Sequence, residues 1–389
     1  MTEGRIPVAK PWMGEAEVEA ARRAILSGWV TQGPEVLAFE QEFADLVGAS
    51  HACAVSSCTT ALHLALRACG IGEGDEVITA SYSYIATANA IRHCGAVPVF
   101  VDIEDGGPNV DPELVTASIG PMTKAILCVH QMGMPCDVRR LAEIASSHSL
   151  PLIEDAACAI GSEITNAAGE SEHIGKPHGD ISCFSFHPRK IMTTGDGGMI
   201  TTSRRDWDEQ FRRDRQHGMD VPDVHRHGSR EIIDETHVSV GYNYRMTDIQ
   251  AAVGRAQLAR LDEMLLRRRM LAARYVELLK AFPVTLAATP AWAKPNWQSF
   301  WIQLPAACDR RQLMQTMLDD GIATRRGVHC AHREPAYAIE PWKIGAGGLS
   351  RSERAQDRSL VLPLYHELTE RDQDKVVSAL ERALGVCDA

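Results

Sequence analysis

The stretch that decides the fold of this chain covers residues 183–202 and reads Cys183-Phe184-Ser185-Phe186-His187-Pro188-Arg189-Lys190-Ile191-Met192-Thr193-Thr194-Gly195-Asp196-Gly197-Gly198-Met199-Ile200-Thr201-Thr202. Its two ends are rich in β-branched and aromatic residues, whereas its middle is polar and contains three glycines. This pattern predicts two strands, over 181–186 and 199–202, joined by a loop. Lys190 lies in that loop, where a lysine is by default a solvated surface residue.

A second stretch, Leu152-Ile153-Glu154-Asp155, gives Lys190 a chemical partner. It reads as a short apolar strand that ends on two carboxylates. A lysine that forms a Schiff base with pyridoxal phosphate needs a carboxylate beside the pyridine nitrogen, because that carboxylate keeps the nitrogen protonated and makes the ring an electron sink. Asp155 and Lys190 have the chemistry that such a pair requires.

The same region carries motifs that resemble a known family. They are Glu154-Asp155-Ala156-Ala157, then Ser185-Phe186-His187-Pro188 followed by Arg189 and Lys190, and then Thr193-Thr194-Gly195-Asp196-Gly197-Gly198-Met199. In these motifs the sequence resembles the DegT/StrS sugar aminotransferases, which are pyridoxal-phosphate enzymes of fold type I. Further similar runs lie at residues 29–34, 241–248 and 362–364, so the resemblance covers nearly the whole chain.

The resemblance implies catalytic, cofactor and substrate roles for several side chains. Lys190 is expected to hold the cofactor and to move protons during catalysis, and Asp155 is expected to pair with the pyridinium. Ser185 is expected to contact the cofactor. His187 and His329 are expected to contact the substrate, although His329 opens a polar segment that is equally well interpreted as a bare connection.

A phosphate site is expected where a strand over 52–55 leads through hydroxyl residues into a helix over 61–69. This order leaves unpaired N–H groups at a helix N-terminus, which can bind an anion, although Ser and Thr are also ordinary N-caps. The resemblance implies that Ser57, Cys58 and Thr59 bind the cofactor phosphate. Cys58 stands where the family commonly has glycine.

Three further positions complete the predicted site. Tyr84 follows a strand end, where rim packing is the usual role, but the resemblance implies that its ring stacks on the cofactor. Cys158 stands where the family has Gln or His, so its hydrogen bond to the ring hydroxyl is expected to be weak or absent. Asn243 is expected to reach the neighbour's cofactor phosphate in a homodimer with shared sites. The polar segment 204–240 before it is expected to meet the partner or to form a flap.

Alternating strand and helix patterns from residue 97 to residue 155 indicate a mostly parallel sheet with helices on both faces, so the fold class is α/β. We expect a large cofactor-binding domain over 1–250 and a smaller α+β domain over 251–389. A long, bent helical pattern over 247–282 links them. In the smaller domain we expect strands over 297–304 and 322–328 and helices over 310–318 and 369–384.

The composition limits the classes of partner. The chain has 389 residues, of which 45% are hydrophobic and 6% aromatic, and this suits an enzyme with a large core. A net charge of −11 disfavours nucleic-acid and anionic-membrane partners, because both require clustered cations. No apolar run is long enough to span a bilayer, and residues 1–10 lack the apolar core of a signal peptide, so a cytoplasmic location is expected.

The cysteines give no indication of a metal site or a disulfide framework. There are eleven, an odd number, and most stand singly in apolar segments, which favours buried reduced thiols. Neither the CxxC nor the HExxH spacing occurs, so no metal ligand is expected.

The function that these observations favour is transfer of an amino group from an amino acid, glutamate or glutamine, to a keto sugar, most often nucleotide-linked in the family. An aminocyclitol or another ketone remains open as the acceptor. A sugar dehydratase of the family carries His in place of Lys190, and an amino-acid lyase, aldolase or desulfurase of fold type I lacks the 193–199 motif. A regulatory protein without catalysis has no need of Lys190 and Asp155.

Overall fold

A computed structural model describes residues 4–221 and 232–387, so residues 222–231 of the predicted flap lie outside the described residues. The strands are β1 (His51–Val55), β2 (Glu76–Ala80), β3 (Val97–Val101), β4 (Thr123–Val129), β5 (Leu152–Asp155), β6 (Glu163–Thr165), β7 (Ser171–His173), β8 (Ile181–Ser185), β9 (Gly198–Thr202), β10 (Thr285–Leu286), β11 (Ala293–Lys294), β12 (Phe300–Gln303), β13 (Arg325–Arg326), β14 (Lys343–Ile344) and β15 (Ser359–Leu362).

The α-helices in the described residues are α1 (Glu15–Ser27), α2 (Pro34–Val47), α3 (Cys58–Ala68), α4 (Ala86–His93), α5 (Pro112–Ser118), α6 (Val138–Ser147), α7 (Arg205–Asp214), α8 (Asp248–Leu258), α9 (Leu261–Leu278), α10 (Arg310–Asp319), α11 (Ser350–Arg358) and α12 (Glu370–Cys387). Most of the helices and strands expected from the sequence are present, with ends shifted by a few residues.

The central feature is an eight-stranded sheet in the order β1-β9-β8-β5-β4-β2-β3-β14. From β8 to β14 every neighbouring pair is parallel, and only β9 runs antiparallel to both of its neighbours. The expected mostly parallel sheet is therefore confirmed. Because its parallel strands share one direction, their carboxyl ends meet at a single edge, where ligands bind in folds of this class.

Helices cover both faces of this sheet, which explains why its strands are apolar on both sides. Along β4, Ile126 packs into the core that contains α2, α5 and α6, whereas its neighbour Leu127 packs into the core that contains α3, α4 and α7. Both side chains are buried, at 1% and 0% exposed. The alternation of side chains along a strand thus supplies two cores from one sheet.

The two strands expected on either side of Lys190 are β8 and β9, which form an antiparallel pair with Ser185 opposite Gly198. Phe186 follows β8 and is fully buried. Its ring packs against Phe39 and Phe43 of α2, with centroid distances of 5.4 and 5.8 Å. The loop that carries Lys190 therefore begins from an anchored aromatic cluster.

A smaller antiparallel sheet, in the order β10-β12-β15-β13, lies in the carboxyl-terminal third of the chain. It shares a core with α9, α10 and α12, in which Tyr275, Phe300 and Leu380 are buried. Ile6 belongs to this core as well, and Lys343–Ile344 forms the edge strand of the large sheet. The domain boundary at residue 250 stays a prediction.

Three expectations for this part of the chain need correction. The helical pattern over 247–282 is two helices that break at Ala259 and Arg260, where the Arg260 N–H bonds to the Gln257 carbonyl at 3.1 Å. The strand expected over 322–328 is only β13, because Ile322 pairs with Ile6 instead of joining the sheet. Helix α11 and strand β15 were not expected from the sequence.

The cysteine expectation also needs one correction. Nine of the cysteines in the described residues have free thiols, but Cys308 is disulfide-bonded, so not every cysteine is reduced. Within residues 4–221 and 232–387, every helix is too short or too polar to cross a membrane.

Asp248 ties two distant motifs together. It is 1% exposed, and its carboxylate accepts hydrogen bonds from the backbone N–H groups of Gly33, Glu35 and Val36 at 2.6, 3.1 and 3.1 Å. These groups open α2, whose own carbonyls cannot accept them. Thr247 caps α8 directly beside it, so one dipeptide holds the starts of two helices.

Asp248→Ala is expected to lower the free energy of unfolding by about 2 kcal/mol, because buried N–H groups at the start of α2 lose their acceptor. Urea unfolding at neutral pH measures this loss. Asp105→Ala is the matched control, since its carboxylate is exposed and bonds only to Arg354 at 3.4 Å. The interpretation of Asp248 is wrong if both variants unfold at the same urea concentration.

Candidate active site

A cavity of about 350 Å³ opens at the carboxyl ends of the parallel strands. This volume lies at the lower end of the range for small-molecule sites. Ten of the site residues expected from the sequence line it, and Asn243 does not: Ser57, Cys58, Thr59, Tyr84, Asp155, Cys158, Ser185, His187, Lys190 and His329. Side chains from distant parts of the chain thus meet in one place.

Lys190 lies in the loop between β8 and β9 and is half-buried. Its Nζ donates to the sulfur of Cys158 at 3.1 Å, and its backbone N–H bonds to the His187 carbonyl at 2.8 Å. Burial disfavours the charged amine, but the sulfurs of Cys158 and Cys58 and the Asp155 carboxylate raise the pKa of Lys190 above its ordinary value. The amine therefore faces a polar, partly anionic wall.

Gln298 fixes this loop from the other side of the chain. Its Oε1 accepts from the Ile191 N–H at 3.1 Å, and its Nε2 donates to the Arg189 carbonyl at 2.7 Å. Thr193 donates from Oγ1 to the Phe186 carbonyl at 2.7 Å. Because Gln298 bonds to the backbone on both sides of Lys190, it holds the position of the lysine.

Asp155 ends β5 and is 5% exposed. Its Oδ2 accepts from Thr87 Oγ1 at 2.7 Å, and its Oδ1 accepts from the Ala157 N–H at 3.1 Å. Burial raises the pKa of Asp155, and these two hydrogen bonds together with the charge of Lys190 offset only part of that rise. A further cation beside the carboxylate would complete its pairing.

Glu154 points away from the cavity into a fully buried pair. It accepts from His130 Nε2 at 2.9 Å and from the Gly179 N–H at 2.9 Å. Burial opposes both charges, yet the pair lowers the pKa of Glu154 and raises the pKa of His130 to about 10. The second carboxylate of the strand therefore anchors β5 from behind, while Asp155 faces the site.

The start of α3 forms a second wall of the cavity. Ser57 caps the helix, with its Oγ accepting from the Thr60 N–H at 3.2 Å. The N–H groups of Cys58 and Thr59 in the first turn have no acceptor within the helix. Strand β9 passes so close that a Cβ on Gly198 would lie 2.5 Å from the Ser57 carbonyl carbon. The glycine thus lets the helix start approach the sheet.

The two cysteines that depart from the family pattern lie beside the key residues. The Cys58 thiol lies 3.4 Å from the Cys183 carbonyl and 3.9 Å from Asp155 Oδ1. Burial, reinforced by the Asp155 charge, raises the pKa of Cys58 well above its usual range, so it stays a neutral thiol. Cys158 contacts Lys190, as described above.

The aromatic and imidazole side chains line the opening. Tyr84 is 55% exposed, and its ring centroid lies 5.6 Å from that of His329. His329 Nε2 accepts from the Ile85 N–H at 3.3 Å, and His187 Nδ1 accepts from the Arg189 N–H at 3.2 Å. Burial lowers the pKa of both imidazoles. Neutral imidazoles can then accept or donate hydrogen bonds to a ligand.

Asn243 is exposed and lies outside the cavity, and its backbone pairs with Gln216 in an isolated bridge. Its neighbour Tyr244 accepts the Ser56 N–H at 2.7 Å. The segment with Asn243 therefore packs beside the strand that leads into α3. Its expected contact with a partner subunit stays a prediction.

Several residues of the site were missed in the sequence. Thr87 bonds to Asp155, Gln298 holds the Lys190 loop, and Arg325 lines the cavity from the small sheet. No local pattern marks them. Thr87 lies within a helix, and the other two lie on segments that reach the site only through tertiary packing.

Comparison with known proteins places this arrangement among aminotransferases. The model of the DegT/DnrJ/EryC1/StrS aminotransferase family matches residues 11–381. The aminotransferase TlmJ from Streptoalloteichus hindustanus is 32% identical with a TM-score of 0.89, over 98% of this chain and 100% of that one. DesV from S. venezuelae is 34% identical with a TM-score of 0.84, over 97% and 98%.

A third solved structure is the PLP-form of Spr1654 from Streptococcus pneumoniae, named as a candidate sugar aminotransferase. It is 25% identical with a TM-score of 0.90, over 98% of this chain and 99% of that one. The fold and the cavity are thus those of a pyridoxal-phosphate-dependent aminotransferase of fold type I. The chain belongs to the DegT/DnrJ/EryC1/StrS aminotransferase family, which confirms the resemblance seen in the motifs.

The residues of the cavity fit pyridoxal phosphate. A buried carboxylate with a raised pKa suits a protonated ring nitrogen, a lysine amine suits the aldehyde, and free N–H groups at a helix start suit the phosphate. The donor set of the cavity therefore provides one partner for each polar group of the cofactor.

Gly198→Ala is expected to weaken the binding of pyridoxal phosphate by about tenfold, because the new Cβ would displace the start of α3. Titration of dialysed protein, followed by cofactor absorbance, measures the Kd. Gly72→Ala is the control, since a Cβ there meets no atom within 4 Å. An unchanged Kd in a folded Gly198→Ala protein would show that the helix start is not the phosphate site.

Proposed function

We propose that this enzyme transfers the amino group of an amino acid, glutamate or glutamine, to the carbonyl carbon of a nucleotide-linked keto sugar. The observation that carries the proposal is that Lys190 and the buried Asp155 line one cavity at the strand ends. The name of Spr1654 as a candidate sugar aminotransferase supports a sugar as the acceptor. An aminocyclitol is the second candidate acceptor, because the cavity also suits a ring of that size.

Bound pyridoxal phosphate supplies an electron sink that stabilises negative charge on the substrate carbon. In our proposal Lys190 holds the cofactor through its Nζ and, once released by the incoming amine, moves a proton to and from that carbon. Asp155 keeps the ring nitrogen protonated. Ser57, Cys58 and Thr59 bind the phosphate from the start of α3.

The remaining cavity residues bind and orient. Tyr84 provides a flat face at the opening for the cofactor ring, and Ser185 and Cys158 provide polar atoms at its edge. His187 and His329 present imidazoles toward the substrate space. Cys158 is a weaker hydrogen-bond donor than the Gln or His of the family, so the ring hydroxyl is held less tightly here.

The rival chemistries are less well supported. A dehydratase of the family would have His at position 190, and this chain has Lys190. The match to an aminotransferase family over residues 11–381 disfavours a lyase, an aldolase or a desulfurase. A protein without catalysis would have no need to bury the Asp155 carboxylate beside a lysine.

We further infer that the enzyme works as a homodimer with shared sites. Asn243 is exposed and lies beside the strand that leads into α3, so it is available to a neighbouring subunit. The division into domains at residue 250 and the cytoplasmic location belong to the same proposal.

Lys190→Ala is expected to abolish transamination, because the cofactor loses its attachment and the reaction loses its base. Sodium borohydride followed by peptide mass spectrometry should fix one cofactor to Lys190 in the wild type and none in the variant. Lys176→Ala removes an exposed lysine that pairs with Glu172 and should behave as wild type. Turnover of Lys190→Ala at the wild-type rate would refute the assignment.

Mixing Lys190→Ala and Asn243→Ala proteins should restore activity toward half that of one wild-type dimer. In a mixed dimer with shared sites, one site carries both lesions and the other carries neither. An amide from the partner should tighten phosphate binding by about 1 kcal/mol. Absence of recovery after verified subunit exchange, or full activity in a monomer by sedimentation, would rule out shared sites.

A further inference from the structure

Two arginines line the cavity from opposite parts of the chain. Arg189 directly precedes Lys190 in the loop after β8, and Arg325 lies on β13 of the small sheet. Both side chains are among the cavity residues. Packing of the small sheet against the large one therefore brings a second guanidinium to the wall that already carries Lys190.

Neither guanidinium has a partner in the described part of the chain, whether an ion pair or a side-chain hydrogen bond. The next residue, Arg326, also lines the cavity but pairs with Glu334 at 3.3 Å. Elsewhere the fold pairs its half-buried arginines, as in the contacts of Arg255 with Glu35 and of Arg269 with Glu163 at 2.6 and 3.0 Å. Arg189 and Arg325 are thus exceptions inside the active site.

Two like charges on one wall repel each other, and this arrangement costs stability unless an anion joins them. Burial, followed by the charge of Arg189, lowers the pKa of Arg325. The carboxylates in the cavity are those of Asp155, which bonds to Thr87 and Ala157, and of Asp196, which forms no ion pair with either arginine within residues 4–221 and 232–387. An anion of the substrate would therefore complete the site.

The position of the pair indicates which anion it binds. Arg189 adjoins the lysine whose amine takes part in the reaction, so the anion must lie close to the reacting atoms. In an amino acid the α-carboxylate is attached to the reacting carbon, whereas a phosphate on a sugar acceptor lies further along the molecule. Two guanidiniums also match the two carboxylates of a dicarboxylic amino acid, since Arg binds carboxylates through paired N–H groups.

We propose that Arg189 and Arg325 form the carboxylate-binding site for the amino donor and make the enzyme prefer a dicarboxylic donor, glutamate or aspartate, over neutral glutamine. The inference rests on the proposed aminotransferase function and selects between the donors that this function leaves open. It makes the pair specificity-determining residues of the donor half of the reaction.

The donor half-reaction tests this directly, because it needs no acceptor. Holoenzyme is mixed with L-glutamate or L-glutamine, and the absorbance change of the bound cofactor is followed in a single turnover. Wild type should react at least about tenfold faster with glutamate than with glutamine at equal, subsaturating concentrations. Arg189→Gln and Arg325→Gln should each lower the second-order rate constant for glutamate by about 10- to 100-fold and change that for glutamine less.

Two sets of controls separate the charge effect from misfolding. Arg189→Lys and Arg325→Lys keep the positive charge and should recover part of the rate. Arg311→Gln removes an exposed arginine of α10 outside the cavity and should remain within about twofold of wild type. Succinate, a dicarboxylate that cannot react, should bind wild type in calorimetry and bind both glutamine variants at least tenfold more weakly.

Each contrary outcome has a distinct meaning. Equal rates with glutamate and glutamine, or glutamine variants that react with glutamate as fast as wild type, would overturn the inference. A loss confined to the half-reaction with a nucleotide-linked keto sugar would place the anion on the acceptor phosphates and would also overturn it. A wild-type enzyme that reacts with no amino acid, yet binds succinate through both arginines, would contradict the proposed function and leave the anion site standing.

Discussion

The burial of the Asp155 carboxylate is the constraint on which the site depends. Strand β5 lies between β4 and β8 and carries Asp155 to the sheet edge at 5% exposure. The neutral donors Thr87 and the Ala157 N–H hold its oxygens, and burial still raises its pKa. Such a carboxylate is most stable as an anion only when a cation joins it, and a protonated pyridine ring is a cation of suitable shape.

The rest of the fold serves to bring partners to this carboxylate. The pair of Glu154 and His130 anchors β5 from behind. Phe186 fixes the start of the Lys190 loop in the aromatic core of α2, and Gln298 holds the loop from the carboxyl-terminal part of the chain. Loss of packing far from the cavity can therefore impair the site by moving Lys190 relative to Asp155.

The sequence predicts the elements whose signals are local. Strands β8 and β9, the polar loop between them and the alternating pattern around β4 follow from residue type and period alone. The helix break at Ala259 and Arg260 has no proline or glycine to mark it, and the short β13 results from pairing of Ile322 with Ile6. These outcomes depend on contacts between distant residues, which a single sequence does not encode in any window.

The same distinction applies to the site. Lys190 and Asp155 stand in recognisable motifs, whereas Thr87 and Arg325 reach the cavity only because α4 and the small sheet pack there. Arg189 is visible in the motif, but its lack of an ion pair within the described residues becomes evident only in three dimensions. Specificity is thus harder to predict than chemistry, since it depends on side chains that separate segments contribute.

The most direct test of our central claim is the single-turnover rate of Asp155→Asn with L-glutamate at saturating pyridoxal phosphate. This change keeps the size of the side chain and removes its charge, so the ring nitrogen should lose its proton. We predict a rate at least about 1,000-fold below wild type, in a protein with unchanged thermal stability and bound cofactor. A rate within about tenfold of wild type, roughly 1.4 kcal/mol, would contradict the role of the buried carboxylate.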